Sequence, residues 1–338
     1  MEHKLITCCG FGGTGSSVIT DFVSEFKSVK GCGDFEWTLA FDIDGISDLQ
    51  HYIVDDFEKI KTTEGIYRFR RHSKIVARNY SKIFGTDVKR VFDEYVNGLV
   101  DVSWMGSNNL QVYRYNLIGR KLYYWYCKGR FMLKKIFTSN NGYEQAWNKP
   151  KVLLELSSQK EKFFESTKKM YASLLDTLDK ENEYEFLCFD QLVPSYNFKR
   201  YSQYFPNLKI VCVDRDPRDL YLLNELYWHE DWIPSSDIDT FVKWFKLLRK
   251  DVKLAAADCD NVMLVKFEDT IYKYDEMAKK ICDFIGLDPN DHIKKKTAFN
   301  PDYSKRNTKL WDNDTTHAKE IEVIERELSE FCYDYNNI

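Results

Sequence analysis

Seven prolines among 338 residues, no internal repeat and no low-complexity stretch leave nothing that reads as a Pro/Gly/Ser-rich linker. The length suits one large α/β domain or two ordinary ones. Without a linker the simplest expectation is a single domain over 1–338. No apolar run approaches the ~18 residues of a membrane span. The run that follows "MEHK" is also too short for a signal peptide. No C-x-x-C occurs, and the nine cysteines are odd in number and scattered. Four of them, Cys8, Cys9, Cys188 and Cys212, stand inside apolar runs, which suits buried reduced thiols and a reducing compartment. A cytoplasmic protein is expected. The net charge of −4 provides no global field toward nucleic acid or anionic lipid, and neither a nucleic-acid partner nor a membrane span is expected.

Six short apolar runs read as strands: Leu5–Cys9, Trp37–Phe41, Val152–Leu156, Glu185–Phe189, Leu208–Val213 and Val262–Phe267. Helical patterns separate them. Val18, Ile19, Phe22, Val23 and Phe26 make one apolar face. Met277, Ile281 and Ile285 make another, with Gly286 as the stop. Such alternation predicts an α/β fold with a parallel sheet flanked by helices, and ligands at the carboxyl ends of its strands. Residues 57–150 differ. They are rich in Arg, Lys, Tyr and Trp, poor in strand signals, and read as a helical insertion with two basic helices, "YRFRRHSKIVARNYSKIF" and "RKLYYWYCKGRFMLKKIF". This insertion is either a set of solvated charged faces or a wall for an anionic cofactor or a sugar-like acceptor. Aromatics at 16% would serve a core equally well.

The stretch "LITCCGFGGTGSS" turns an apolar run into glycines and hydroxyls. Glycines let the backbone curl around an oxyanion, the amides point at it, and the following helix N-terminus adds partial positive charge. Gly10, Gly12 and Gly15 satisfy G-x-G-x-x-G, and Asp42 or Asp44 in "LAFDIDG" could receive a ribose, so a Rossmann oxidoreductase using a nicotinamide or flavin dinucleotide is one reading. Gly10–Ser17 also satisfies the P-loop pattern, except that Ser16 replaces its lysine. Farther on, "LKIVCVDRDPRDLYLLNELYW" sets Arg215 at a strand end beside a helix that Asp216 caps and Pro217 opens, a place for bidentate phosphate capture.

Together with "KFEDTI…FIGL" at 266–287 and the late basic "SKRN", these elements resemble the PAPS-dependent sulfotransferase family. The resemblance implies a P-loop nucleoside triphosphate hydrolase-like (sulfotransferase) architecture. It implies sulfuryl transfer from 3′-phosphoadenosine-5′-phosphosulfate (PAPS) to a hydroxyl or amine, without a metal. Gly12, Gly13, Thr14, Gly15, Ser16 and Ser17 would hold the 5′-phosphosulfate. Arg215, Lys305, Arg306 and Asn307 would hold the 3′-phosphate. The chain departs from the family's pattern twice: Gly13 stands where the turn usually has Lys or Arg, and Leu223 stands where a serine is usual, with Asn224 beside it as a substitute donor. Asp190, after the strand at 185–189, is the first candidate base, and Asp44 (with Asp42) the second, where glycan-directed members tend to put a glutamate. His229 reads as a surface or packing histidine. The acceptor is expected to be a small molecule or glycan, with a carbohydrate favoured by the aromatic and basic residues at 104–147. A non-catalytic nucleotide-binding relative is the remaining alternative.

Overall fold

A computed structural model describes residues 3–107, 110, 114–137 and 151–337. Among these residues seven strands form in chain order: β1 Lys4–Gly10, β2 Val29–Glu36, β3 Val102–Gly106, β4 Val152–Leu156, β5 Phe186–Asp190, β6 Leu208–Asp214 and β7 Val262–Lys266. The chain divides into two compact units, 1–41 with 175–338, and 42–174. The stretch 57–150 that reads as an insertion falls within the second.

The first unit is built on a five-stranded sheet in the order β2-β5-β1-β6-β7, with all its pairings parallel. Counted within this sheet alone, its strands run 2-3-1-4-5. β1 is buried along Leu5–Cys9 without alternation, which requires cover on both faces. Cys8, Cys9, Cys188 and Cys212 are buried free thiols, as their apolar settings imply. Helix Ser17–Ser24 packs Val18, Ile19, Phe22 and Val23 against Ile6, Cys8 and Val211 of the sheet, and helix Tyr274–Ile285 adds Met277, Ile281 and Ile285 to the same cluster. Gly286 ends that second helix in the left-handed region at φ 88°. The expected α/β fold, a parallel sheet flanked by helices, is therefore the observed one.

Two strand readings need correction. Trp37–Phe41 is not a strand: Thr38–Ala40 form a single 3₁₀ turn, and the second strand is the preceding Val29–Glu36. Trp37, Leu39 and Ala40 owe their apolar character to burial within that turn. The sequence "VKGCGDFE" escaped notice because two glycines and three charges interrupt its pattern. Val152–Leu156 is a strand, but it pairs antiparallel with β3 in a separate two-stranded sheet of the second unit. β3 itself lies in the stretch read as poor in strands. Among the described residues the other elements of that unit are helices, and Lys59–Phe84 and Leu117–Phe137 contain the two basic ones.

One buried carboxyl fixes the segment that leads to the late basic loop. Glu25 accepts hydrogen bonds from the backbone amides of Lys296, Ala298 and Phe299, all at 3.0 Å, and its Oε2 lies 2.6 Å from His292 Nε2. Removing it takes the acceptor from three amides at once, around a carboxyl that is itself buried. Glu25→Ala should cost at least ~3 kcal/mol in urea denaturation. A cost below ~1 kcal/mol would show that the segment is held by something else.

Candidate functional site

The Gly-rich turn leaves β1 at the centre of the sheet. Gly12, Gly13 and Gly15 have φ of 83°, 65° and 79°, a left-handed region that side chains resist. Among the described residues, the amides of Gly12, Gly13, Thr14 and Gly15 find no acceptor. They form an array of donors ahead of helix Ser17–Ser24, whose N-cap Ser16 makes no side-chain cap. That is the composition of an anion site. Thr14 is buried, and its hydroxyl accepts from the Phe11 amide at 3.3 Å, so it also shapes the turn. Ser16 accepts from Gln191 Nε2 at 3.3 Å, and Ser17 is exposed.

Arg215 follows β6, one strand away, in the turn that the sequence predicts. Asp216 caps the next helix by accepting from the Arg218 amide, with Pro217 in its first turn. Arg215 is 2% exposed. Its Nη1 donates to the Gly13 carbonyl at 3.2 Å and its Nη2 to the Asn307 carbonyl at 2.8 Å, while the guanidinium lies 4.0 Å over the Phe267 ring. Its Nε has no partner among the described residues. Burial presses this group toward neutrality, opposed by the nearby carboxyl groups of Glu268, Asp219 and Asp216. The turn, Arg215 and the 305–307 loop are thus brought to one place. Lys305 and Arg306 are exposed and lie over Tyr272 and Tyr303 at 5.4 and 3.7 Å, with no carboxylate partner among the described residues.

Asp190 ends β5 beside β1 and accepts from Cys8 Sγ at 2.9 Å. Its register partner on β2 is Glu36, which no reading of the sequence singled out. Burial, then the charge of Asp190, raises the Glu36 carboxyl above its ordinary range. The signal was available only after the second strand had been placed: the carboxylate at its end is Glu36, neither Asp42 nor Asp44. Asp44 stands in the second unit at φ 63°, with Arg71 at 3.2 Å and Arg68 at 3.9 Å. Asp42 lies 2.9 Å from His72 Nε2. His229 is exposed, in the left-handed region after the Asn224–Trp228 turn.

Asn224 does not present the substitute donor expected of it. It is buried, donates to Ser235 Oγ at 2.7 Å and accepts from the Glu230 amide at 2.9 Å, which closes the 224–235 loop. That loop brings two tryptophans onto the turn. A Cβ on Gly12 would lie 2.3 Å from the Trp232 ring, and one on Gly13 would lie 2.7 Å from Trp228 and 2.9 Å from Leu220. The missing cation at position 13 therefore has a physical counterpart, since its space belongs to Trp228. Of the aromatic and basic residues at 104–147, positions 108–109, 111–113 and 138–147 lie outside the described residues.

The strand order decides between the two readings of the turn. A dinucleotide fold sets β2 beside β1, so that its acidic end reaches the ribose. Here β5 and β6 flank β1, and Asp42 is not on the sheet. What remains is a P-loop-like α/β protein with a lysine-free anion turn and a buried arginine at the carboxyl edge. Residues 130–291 match the model of the Sulfotransferase family. They contain Asp190, Arg215 and Glu268. Over those residues, which include the Arg215 turn and Glu268 but neither the opening glycine turn nor the 305–307 loop, the chain is similar to that family.

Solved structures that are similar include a sulfotransferase domain from the curacin biosynthetic pathway, at 11% identity and TM-score 0.38 over 86% of this chain and 77% of that one. A sulfotransferase from Mycobacterium avium is 10% identical, with TM-score 0.38 over 99% and 78%. One from Mycobacterium tuberculosis is 9% identical, with TM-score 0.34 over 91% and 76%. At these scores the fold rests on the sheet order, not on the likenesses. No curated protein matches the chain.

Behind Arg215, Glu268 is fully buried, and its Oε1 accepts from the Asp216 amide at 2.9 Å while Oε2 has no partner among the described residues. Burial above all pushes its carboxyl up to about 8. Between its ordinary value of 4.5 and that point the folded chain holds a proton that the unfolded chain has lost. Stability from this group is therefore present at low pH and falls as pH rises toward 8, by up to ~1.4 kcal/mol per pH unit. Melting temperatures from pH 5 to 8 should fall more steeply for the wild type than for Glu268→Gln. Parallel curves would place the titrating group elsewhere.

Proposed function

We propose that the chain transfers a sulfuryl group from PAPS to a hydroxyl, with a carbohydrate as the acceptor class. One observation carries the donor reading: four acceptor-free turn amides and the cations Arg215, Lys305 and Arg306 share one edge of the sheet. The residues fit a doubly phosphorylated adenosine. The turn offers donors to the 5′-phosphosulfate, and the buried Arg215 retains an unpartnered Nε beside the 305–307 loop. In the transfer, the acceptor oxygen bonds to sulfur as the bond from sulfur to the 5′-phosphate oxygen breaks. The acceptor proton passes to the Asp190–Glu36 pair, and the turn amides stabilise charge on the departing phosphate. A raised carboxyl such as Glu36 suits a proton acceptor working near neutral pH. Exposed Tyr227, Trp228 and Trp232, on the loop that covers the turn, offer ring faces on which a sugar stacks.

The vacant cation position supports a second reading, a nucleotide-binding protein without transfer. Thermal shift with 3′-phosphoadenosine 5′-phosphate, together with transfer of labelled sulfate to glycans, separates the two. The nucleotide should raise the melting midpoint by several degrees. Arg215→Ala should abolish that rise, and Lys305→Ala with Arg306→Ala, both at exposed positions, should weaken binding by ~10-fold or more. Asp190→Asn and Glu36→Gln should lower kcat by ~100-fold, with nucleotide binding kept. No shift at millimolar nucleotide would end the donor reading, and a shift without transfer to any acceptor would select the second.

A further inference from the structure

Helix Leu117–Phe137 is exposed along most of its length. Over Leu117–Ile136 its half-buried positions are Gly119, Tyr123, Cys127, Arg130 and Lys134, two of them cations. Its exposed face carries the apolar stripe Ile118, Leu122, Trp125, Gly129, Met132 and Ile136, spaced 4, 3, 4, 3, 4. Those spacings keep one line along a helix. The five side chains of the stripe are 52–72% exposed. A soluble helix normally turns such a stripe inward, and an apolar patch of this extent marks an interaction surface.

The charges identify the partner. The helix carries six Lys and Arg and no Asp or Glu, in a chain whose net charge is −4. Lys121, Lys128 and Lys135 recur every seven residues and form a column beside the stripe. None has an ion-pair partner among the described residues, and Lys128 lies 5.1 Å over the Trp125 ring. A second copy of the helix would bring a like-charged column to the seam, whereas an anionic surface complements it. Basic residues flanking a Trp- and Leu-bearing face is the composition of a helix lying in a lipid interface. No helix among the described residues is long and apolar enough to cross a membrane, so the element would lie on the surface. Just before the helix, Arg114 donates to Glu64 at 2.8 Å and lies 3.6 Å over Tyr67, which ties its start to helix Lys59–Phe84.

We propose that helix Leu117–Phe137 seats the protein on an anionic lipid surface, with the stripe inserted among acyl chains and the lysine column on the headgroups. The proposal does not depend on the sulfuryl-transfer reading. The test is flotation of the full chain with phosphatidylcholine vesicles, with and without about one-third phosphatidylserine. Binding should require phosphatidylserine and should fall as salt rises from about 0.1 to about 1 M, where screening shortens from ~10 to ~3 Å. Lys121→Glu, Lys128→Glu and Lys135→Glu together should weaken it by about 100-fold. Trp125→Glu should abolish it, with the melting temperature unchanged because the site is exposed. No binding to phosphatidylserine vesicles, or equal binding to neutral ones, would overturn the proposal. So would self-association that Trp125→Glu removes in a protein that ignores vesicles.

Discussion

The Arg215 guanidinium is enclosed by protein and still reaches two backbone carbonyls, Gly13 at 3.2 Å and Asn307 at 2.8 Å. Taking a charge this far from water costs several kcal/mol unless hydrogen bonds and opposite charges compensate. The compensation comes from the segments the arginine joins and from the carboxylates of Asp219 and Asp216 around it. One side chain thus holds the turn after β1 and the late basic loop in a single arrangement. Its position follows from β6, which runs beside β1 in register from Leu5↔Leu208 to Gly10↔Val213.

A second layer supports that arrangement. Asp216 accepts from the Arg218 side chain and from the Tyr333 amide, and Arg218 also reaches Glu325 at 2.8 Å. Asp219 accepts from the amides of Lys309 and Leu310 and from the Tyr335 hydroxyl, and burial raises its carboxyl to about 6. The acidic residues of "DRDPRD" therefore hold the C-terminal segments in place around Arg215. A pattern that reads as a local helix cap is also the hub of long-range packing.

The parts of this architecture with a local cause were legible in the sequence. Glycines at positive φ, the Asp216–Pro217 helix start, the Gly286 stop and the short apolar runs of β1, β5 and β6 each declare themselves within a few residues. The second strand did not, because Gly31, Gly33 and the charges around them hide a segment that pairing with β5 makes a strand. That one slip moved the strand-end carboxylate from Glu36 to Asp44. The fate of Asn224 was equally hidden, since its partners, Glu230 and Ser235, belong to a loop with no local signature. The two basic helices were visible, but which face of the second is exposed depends on tertiary packing.

Trp228 and Trp232 lie against the bare backbone of Gly12 and Gly13. For evolution or protein engineering, this makes the turn a locked combination. A lysine placed at residue 13 would need its neighbour's indole trimmed at the same time, because the glycine and the ring occupy complementary halves of one volume. A single substitution that charges the turn meets the ring, so a cation at residue 13 requires a change at both positions.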